Sequence, residues 1–400
     1  MKKDEFQKYG LSALICLCVI GAVLVAPPAA AAGTTSVTVT KYCDNNYSAV
    51  ANSATISWSN MTTDYDNVVS NGDIYMQGPV FEDEWVAAGF DINNYSIWDE
   101  NEKGVNLVSY GGHNGTSISD LVGEVGGMNA GDEIAIRSVG SKTYSSWFSG
   151  SQVNNPDSDL GDLVLTWWDS VDGNVPTWDI GMRLYFYNSS VNNFTNWDMH
   201  ESLPSWYWKN YTDRNTGDQY PPSAKGLSVK MVNTIDIYPA HRYDFATGGD
   251  TVEYAYEGEV NGTPTVNEPS LTTVDTSKIA TVDNVFETTS STNDGKFAAQ
   301  RFVFDLSEDA ANIEKLAFTW TGTGSHESGD PPADQGATTY IWKNNVGYMP
   351  LSSVTTGISD YVVNGDVTVL VKQNAASSGG DASSLSTDYV KLVVTHHHSN

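Results

Sequence analysis

Apolar residues recur at every second position in several stretches of the chain, the period of a half-buried strand. Leu227, Val229, Met231, Ile235 and Ile237 fall on odd positions, while Ser228, Lys230, Thr234 and Asp236 face the other way. The same alternation runs through Phe302, Phe304 and Leu306, through Val367, Val369 and Val371, and through Val390, Leu392 and Val394. Leu163 to Trp168 and Met182 to Tyr187 are denser apolar and aromatic runs, as expected of inner strands. One stretch has a helical period instead. Ile118, Leu121, Val122 and Val125 share one face, Ser117 with Asp120 suits the N-terminal cap, and Gly126-Gly127 predicts the stop. Ile134 and Ile136 then open another strand.

These elements predict a mainly β protein, α+β in its first domain, with a second domain that is a β-sandwich of jelly-roll type. Gly248, Gly249, Gly258, Gly262, Pro264 and Pro269 concentrate between Ala246 and Asp275. The expected organisation is a first domain at 33–245, a linker at 246–275, a second domain at 276–396 and a His-containing tail at 397–400.

The first 32 residues carry Lys2, Lys3 and Lys8, an apolar run from Leu11 to Ala26, and the small residues Ala29 to Ala32 before Gly33. The run is short for a membrane span, and the pattern predicts an export signal cut near Ala32. A retained N-terminal anchor helix is the alternative. Ile15 and Leu17 precede Cys16 and Cys18, where a lipobox needs a small residue. An extracytoplasmic location follows, secreted or at the cell surface.

The formal charge is −29. Loss of the leader removes three lysines and two acids, leaving −30. Such a field repels nucleic acid and anionic lipid, favours solubility and draws divalent cations. The expected partners are therefore other surface proteins, further copies of the chain, or glycans, with membrane contact only through the transient leader. Cys43 is the single cysteine after the leader, so no intramolecular disulfide is available, and burial as a small apolar residue is the expected state. Sequons occur at Asn46, Asn60, Asn94, Asn114, Asn188, Asn193, Asn210 and Asn261, none beyond.

Four groupings have the residue types of a site. Asp157, Asp159 and Asp162 around Gly161 resemble a calcium loop without its closing Glu; a solvated acidic loop is the competing reading, and no other cofactor is expected. His326, Glu327, Asp330 and Asp334 offer a similar set on a hairpin tip. His396 and His398 stand at alternate strand positions, where two imidazoles can share one transition-metal ion; a plain polar tail or a truncated purification tag is the alternative. Trp197, His200, Glu201, Trp206 and Trp208 combine aromatic rings with a carboxylate, as a sugar-binding groove does, against the reading that these tryptophans fill a core. No nucleophile elbow, zinc-protease motif, P-loop or haem-attachment motif is present.

The segment from Gly115 to Ser141, followed by DLVLTWW, GMRLYFY and the closing GLSVKMVNTIDIY, resembles the pterin-binding domain of sulfite-oxidase-type molybdoenzymes. Val229, Lys230, Val232 and Ile235 match that family's terminal strand motif. QGPVFE (Gln77 to Glu82) and NWDMHESLP (Asn196 to Pro204) are closer to secreted proteins of methanogenic archaea carrying this domain. The second half, with LAFTWTGTG, TTYIWKNN and STDYVKLVVT, resembles β-sandwich modules of archaeal surface-layer and adhesion proteins. In the molybdoenzymes a mid-domain cysteine holds the metal, and Arg and His side chains bind the pterin phosphate. Cys43 lies upstream of the matched region, and Arg137, Arg183 and Arg214 are widely spaced. The resemblance thus implies the fold without the cofactor. The expectation is a non-catalytic cell-surface or envelope protein acting in structural assembly or recognition. A carbohydrate- or small-ligand-binding protein is the first alternative, and an extracellular molybdopterin-type oxidoreductase the second.

Overall fold

A computed structural model describes residues 33–398 apart from 103, 140–143, 189–191, 213–218, 248, 250–251, 327–335 and 352. The leader, and Arg214, Glu327, Asp330 and Asp334, fall outside the described residues. Hydrogen bonding sorts the strands into two β-rich modules with separate cores.

The first module opens with β1 (Ser36–Cys43) and β2 (Asn46–Ser57), then β3 (His113–Ser117), α1 (Ile118–Gly123), β4 (Glu133–Ser138) and β5 (Ser145–Ser149). It continues with β6 (Asp162–Asp169), β7 (Arg183–Tyr187), α2 (Asn196–Ser202) and β8 (Val232–Tyr238). One sheet has the order β2-β1-β8-β4-β5, and β6 pairs with both β3 and β7 in a second. The β1–β8 pair is parallel, Thr38 opposite Thr234, whereas β4 runs antiparallel to β8. In α1 the Ser117 hydroxyl accepts from the Ser119 amide, and Ile118, Leu121 and Val122 are buried. Gly126 and Gly127 follow at φ +94° and +70°, a left-handed backbone that a side chain disfavours, so the helix ends there.

The strand expected to run unbroken from Leu227 to Ile237 is two segments. Residues 224–227 form a 3-10 turn, Met231 sits at φ +51°, and β8 starts at Val232. The buried set therefore shifts from odd to even and back: Leu227, Val229, Val232, Ile235 and Ile237 are buried while Met231 is not. The ladder slips at the same place, between Val232 and Thr234.

The second module contributes β9 (His241–Asp244), β10 (Val252–Val260), β11 (Glu287–Ser291), β12 (Phe297–Asp305) and β13 (Ile313–His326). After these come β14 (Ala337–Lys343), β15 (Gly347–Pro350), β16 (Asp366–Gln373) and β17 (Ser383–His396). β17 pairs with β9, β11 and β13; the facing sheet has the order β10-β12-β16-β14-β15. The chain passes from one sheet to the other at each of the steps β9 to β14, making a sandwich. Phe302, Phe304, Val367, Val369, Val371, Val390, Leu392 and Val394 fill the space between, each completely buried. Burial of this degree contributes about 1.5 to 3 kcal/mol per large apolar side chain.

Two strands lie where the sequence reading put the end of the first domain and the linker. β9 pairs with β17 from His241 opposite Val394, and β10 pairs with β12 over its whole length. Tyr243 of β9 belongs to the second core. The chain thus changes module near Pro239 and Ala240, because Gly and Pro density marks turns and cannot register strands that pair across a long separation.

Candidate functional site

α2 is held at its start by a reciprocal cap: the Thr195 amide and hydroxyl donate to Asp198 Oδ2 at 2.9 and 2.7 Å, and the Asp198 amide returns to Thr195 Oγ1. Asn196, completely buried, ties the helix to two other segments by donating to Gly78 O and accepting from the Ala224 amide of a 3-10 turn. This places His200 against Trp98 (4.9 Å between ring centroids), Trp208 (5.2 Å) and Trp197 (6.0 Å). Trp98 and Trp208 pack at 4.6 Å, and His200 Nδ1 lies 2.8 Å from Glu201 Oε1. The three indoles and His200 are half-buried and Glu201 is exposed, so rings and carboxylate reach solvent together. Trp98 had no sequence signal, being remote from the others in the chain. Trp206 does not join this patch: the turn at Ser205–Tyr207 carries it to the module junction.

That junction is built on the end of β17. His398 stacks flat on Trp147 of β5, 4.0 Å between centroids and 8° between planes, and His397 stacks on Trp206 at 4.1 Å. Glu133, the first residue of β4, is almost fully buried and receives three groups. The Tyr207 hydroxyl donates to Oε1 at 2.6 Å, the His398 amide to Oε1 at 3.0 Å, and His398 Nδ1 lies 2.6 Å from Oε2. Donor atoms of Glu133, His396 and His398 all fall within 4.8 Å of one another. His396 is buried, its Nδ1 has no hydrogen-bond partner among the described residues, and burial lowers its basicity below the usual range.

Two further contacts close the junction. Arg242 of β9 makes a bidentate pair with Asp44, Nε to Oδ2 at 2.9 Å and Nη2 to Oδ1 at 3.0 Å, and also donates from Nη1 to buried Asp244. Tyr47 stacks on His241 at 4.5 Å, and its hydroxyl donates to Pro239 O. His241 Nδ1 in turn lies 2.6 Å from Glu308 Oε1. Burial pushes the Glu308 carboxyl up, but hydrogen bonds from His241 and Tyr243 outweigh it and hold the group below its ordinary value. Gly131 faces Thr395, where a Cβ would meet Oγ1 at 3.2 Å.

The remaining candidates are dispersed. Asp157, Asp159 and Asp162 do not converge as a ligand set: Asp157 Oδ1 accepts from the Asp159 amide, and Asp162 is exposed beyond the turn at Gly161. His326 is buried at the end of β13. Cys43 is free and half-buried at the end of β1. Among the sequon asparagines, Asn60, Asn94, Asn210 and Asn261 are exposed, and Asn46, Asn114 and Asn193 are intermediate. Asn188 is buried and donates to Asp159 O at 3.1 Å, a position closed to a glycan. On the second module a groove of about 390 Å³ is lined by Tyr340, Trp342, Tyr348 and Lys372. No described helix is long and apolar enough to cross a membrane.

A family model described as the C-terminal domain of an uncharacterized protein matches residues 250–396, the greater part of the second module. No curated protein matches the chain. Among solved structures, similarity is found to the sulfane dehydrogenase SoxCD from Paracoccus pantotrophus, at 8% identity and a TM-score of 0.29. The match covers 85% of this chain and 63% of that one.

Proposed function

We propose that this chain is a non-catalytic extracytoplasmic protein whose two β-rich modules act as one unit in surface assembly or recognition. The observation that carries this reading is the junction, where rings after the last strand of the second module and the Arg242–Asp44 pair of β9 seat it on the first. Aromatic stacking and a bidentate Arg pair across such a seam resist hinge motion, as a load-bearing or presenting unit requires. The cations of the first module support it too. Arg183 is buried, donates to Ser228 Oγ at 2.8 Å and lies over Tyr110, while Arg137 donates to Asp236 at 2.8 Å. Both make internal contacts.

Fractionation and crosslinking in the native host test this reading. The expected result is envelope-associated protein crosslinked to itself or to another surface protein. Near-stoichiometric molybdenum or tungsten in the purified protein, lost on substituting Cys43, would restore the oxidoreductase.

The half-exposed rings of Trp98, Trp197 and Trp208 beside Glu201 favour glycan binding as a second reading. A glycan array with wild type and Trp208→Ala decides it: no glycan retained by the wild type removes that reading.

A further inference from the structure

We propose that Glu133, His396 and His398 form a binding site for a divalent transition-metal ion of the zinc type, completed only when the two modules dock. Two imidazoles and one carboxylate are a donor set that suits Zn²⁺ with a fourth position left to water. His396 is the last residue of β17 and His398 follows two residues beyond it, where their rings meet edge to face at 5.2 Å. Glu133 comes from the other module.

Three observations distinguish this from a polar tail lying on a surface. First, Glu133 and His396 are each more than nine-tenths buried, and His396 Nδ1 has no hydrogen-bond partner among the described residues, a state that costs stability unless something is bound. Second, the supporting contacts are those of a ligand shell: Tyr207 fixes Glu133 through Oε1, and Trp147 fixes the plane of His398. Third, the distances are near those required. Metal–ligand bonds of about 2.0 to 2.1 Å at tetrahedral angles separate donors by about 3.3 Å. The donors here lie within 4.8 Å of one another, so His396 must close, and the 2.6 Å pair of His398 Nδ1 and Glu133 Oε2 must open as the metal displaces the proton between them. His398 is 40% exposed, which gives entry to the ion and room for a water. The acidic surface field raises the local cation concentration.

The experiment is Zn²⁺ titration by calorimetry on untagged mature protein stripped with a chelator, with Co²⁺ absorption reporting the ligand geometry. One equivalent of Zn²⁺ is expected, together with a higher melting temperature. Glu133→Gln, which retains an acceptor for Tyr207, and His396→Ala should each weaken binding by about tenfold or more, as loss of a ligand does. His397→Ala should leave binding unchanged, because that ring stacks on Trp206. If His396→Ala fails to fold, His398→Ala at the more exposed position decides the matter. Wild-type affinity in folded Glu133→Gln, or equal weakening by His397→Ala and His396→Ala, would mean chelation by a loose histidine tail and overturn the site. Neither result bears on surface assembly.

Discussion

Arg242→Met is expected to destabilise the second module far more than removal of the acid on the other side of the junction. The reason lies in unequal burial. Arg242 lies between Asp44, whose side chain is 45% exposed, and Asp244, which is 2% exposed. Without the guanidinium, Asp44 returns to water. Asp244 cannot, and among the described residues retains the Tyr389 hydroxyl at 3.0 Å and the Ala246 amide at 3.1 Å. Breaking a buried pair from one side costs about 3 to 5 kcal/mol. The two remaining donors reduce this to about 2 to 3 kcal/mol. Asp44→Asn removes a half-exposed partner and should cost about 0.5 to 1 kcal/mol. Denaturant unfolding of both variants, of Asp244→Asn and of Arg242→Met/Asp244→Asn measures these values. The double variant should recover part of the loss, since it no longer buries an unpaired carboxylate. In thermal unfolding, Arg242→Met should lower Tm by about 4 to 12 °C, at about 2 to 4 °C per kcal/mol. The reasoning fails if Arg242→Met costs no more than Asp44→Asn, or if the double variant shows the full sum of its single changes.

Gly322→Ala should destabilise the sandwich by about 1 to 3 kcal/mol, because a Cβ there meets Ser386 O at 2.3 Å and the Trp320 ring at 2.5 Å; a denaturation midpoint equal to wild type would contradict this. His113 is buried beside Asp169 and Arg183, and burial lowers its folded basicity below the ordinary 6.5. Its contribution is therefore complete above that value and lost as pH falls below it toward the folded value, with a slope of at most about 1.4 kcal/mol per pH unit. Denaturation midpoints measured over this range should show a shallower slope for His113→Gln. Limited proteolysis should cut first within 261–268, where the chain leaves β10 and is mostly exposed, and not within 252–260, which β12 protects. N-terminal sequencing of the first fragments checks the position.

Local pattern determined much of this protein. Ser117, the spacing of Ile118, Leu121 and Val122, and the glycine pair specify α1 within a dozen residues, since capping and helix termination act over one turn. The alternation of Val390, Leu392 and Val394 specifies which face of β17 is buried, because the strand period is a property of the backbone alone. It also puts His396 on that buried face, with His398 two residues past the end of the strand. What faces them was decided elsewhere: Glu133 lies at the start of β4, brought there by the pairing of β4 with β8 and by the docking of two modules. Trp206 and Trp208 carry the same lesson at short range. Only two residues apart, one stacks on His397 and the other on Trp98, because the turn at Ser205–Tyr207 rotates the chain between them. Met231 broke an alternation that composition alone continues, since a left-handed residue resets the register without changing hydrophobicity. Sequence determines the faces of strands and helices through contacts within a few residues. Which faces meet, and so which side chains form a site, depends on pairings across hundreds of residues whose energies are settled only when both cores close.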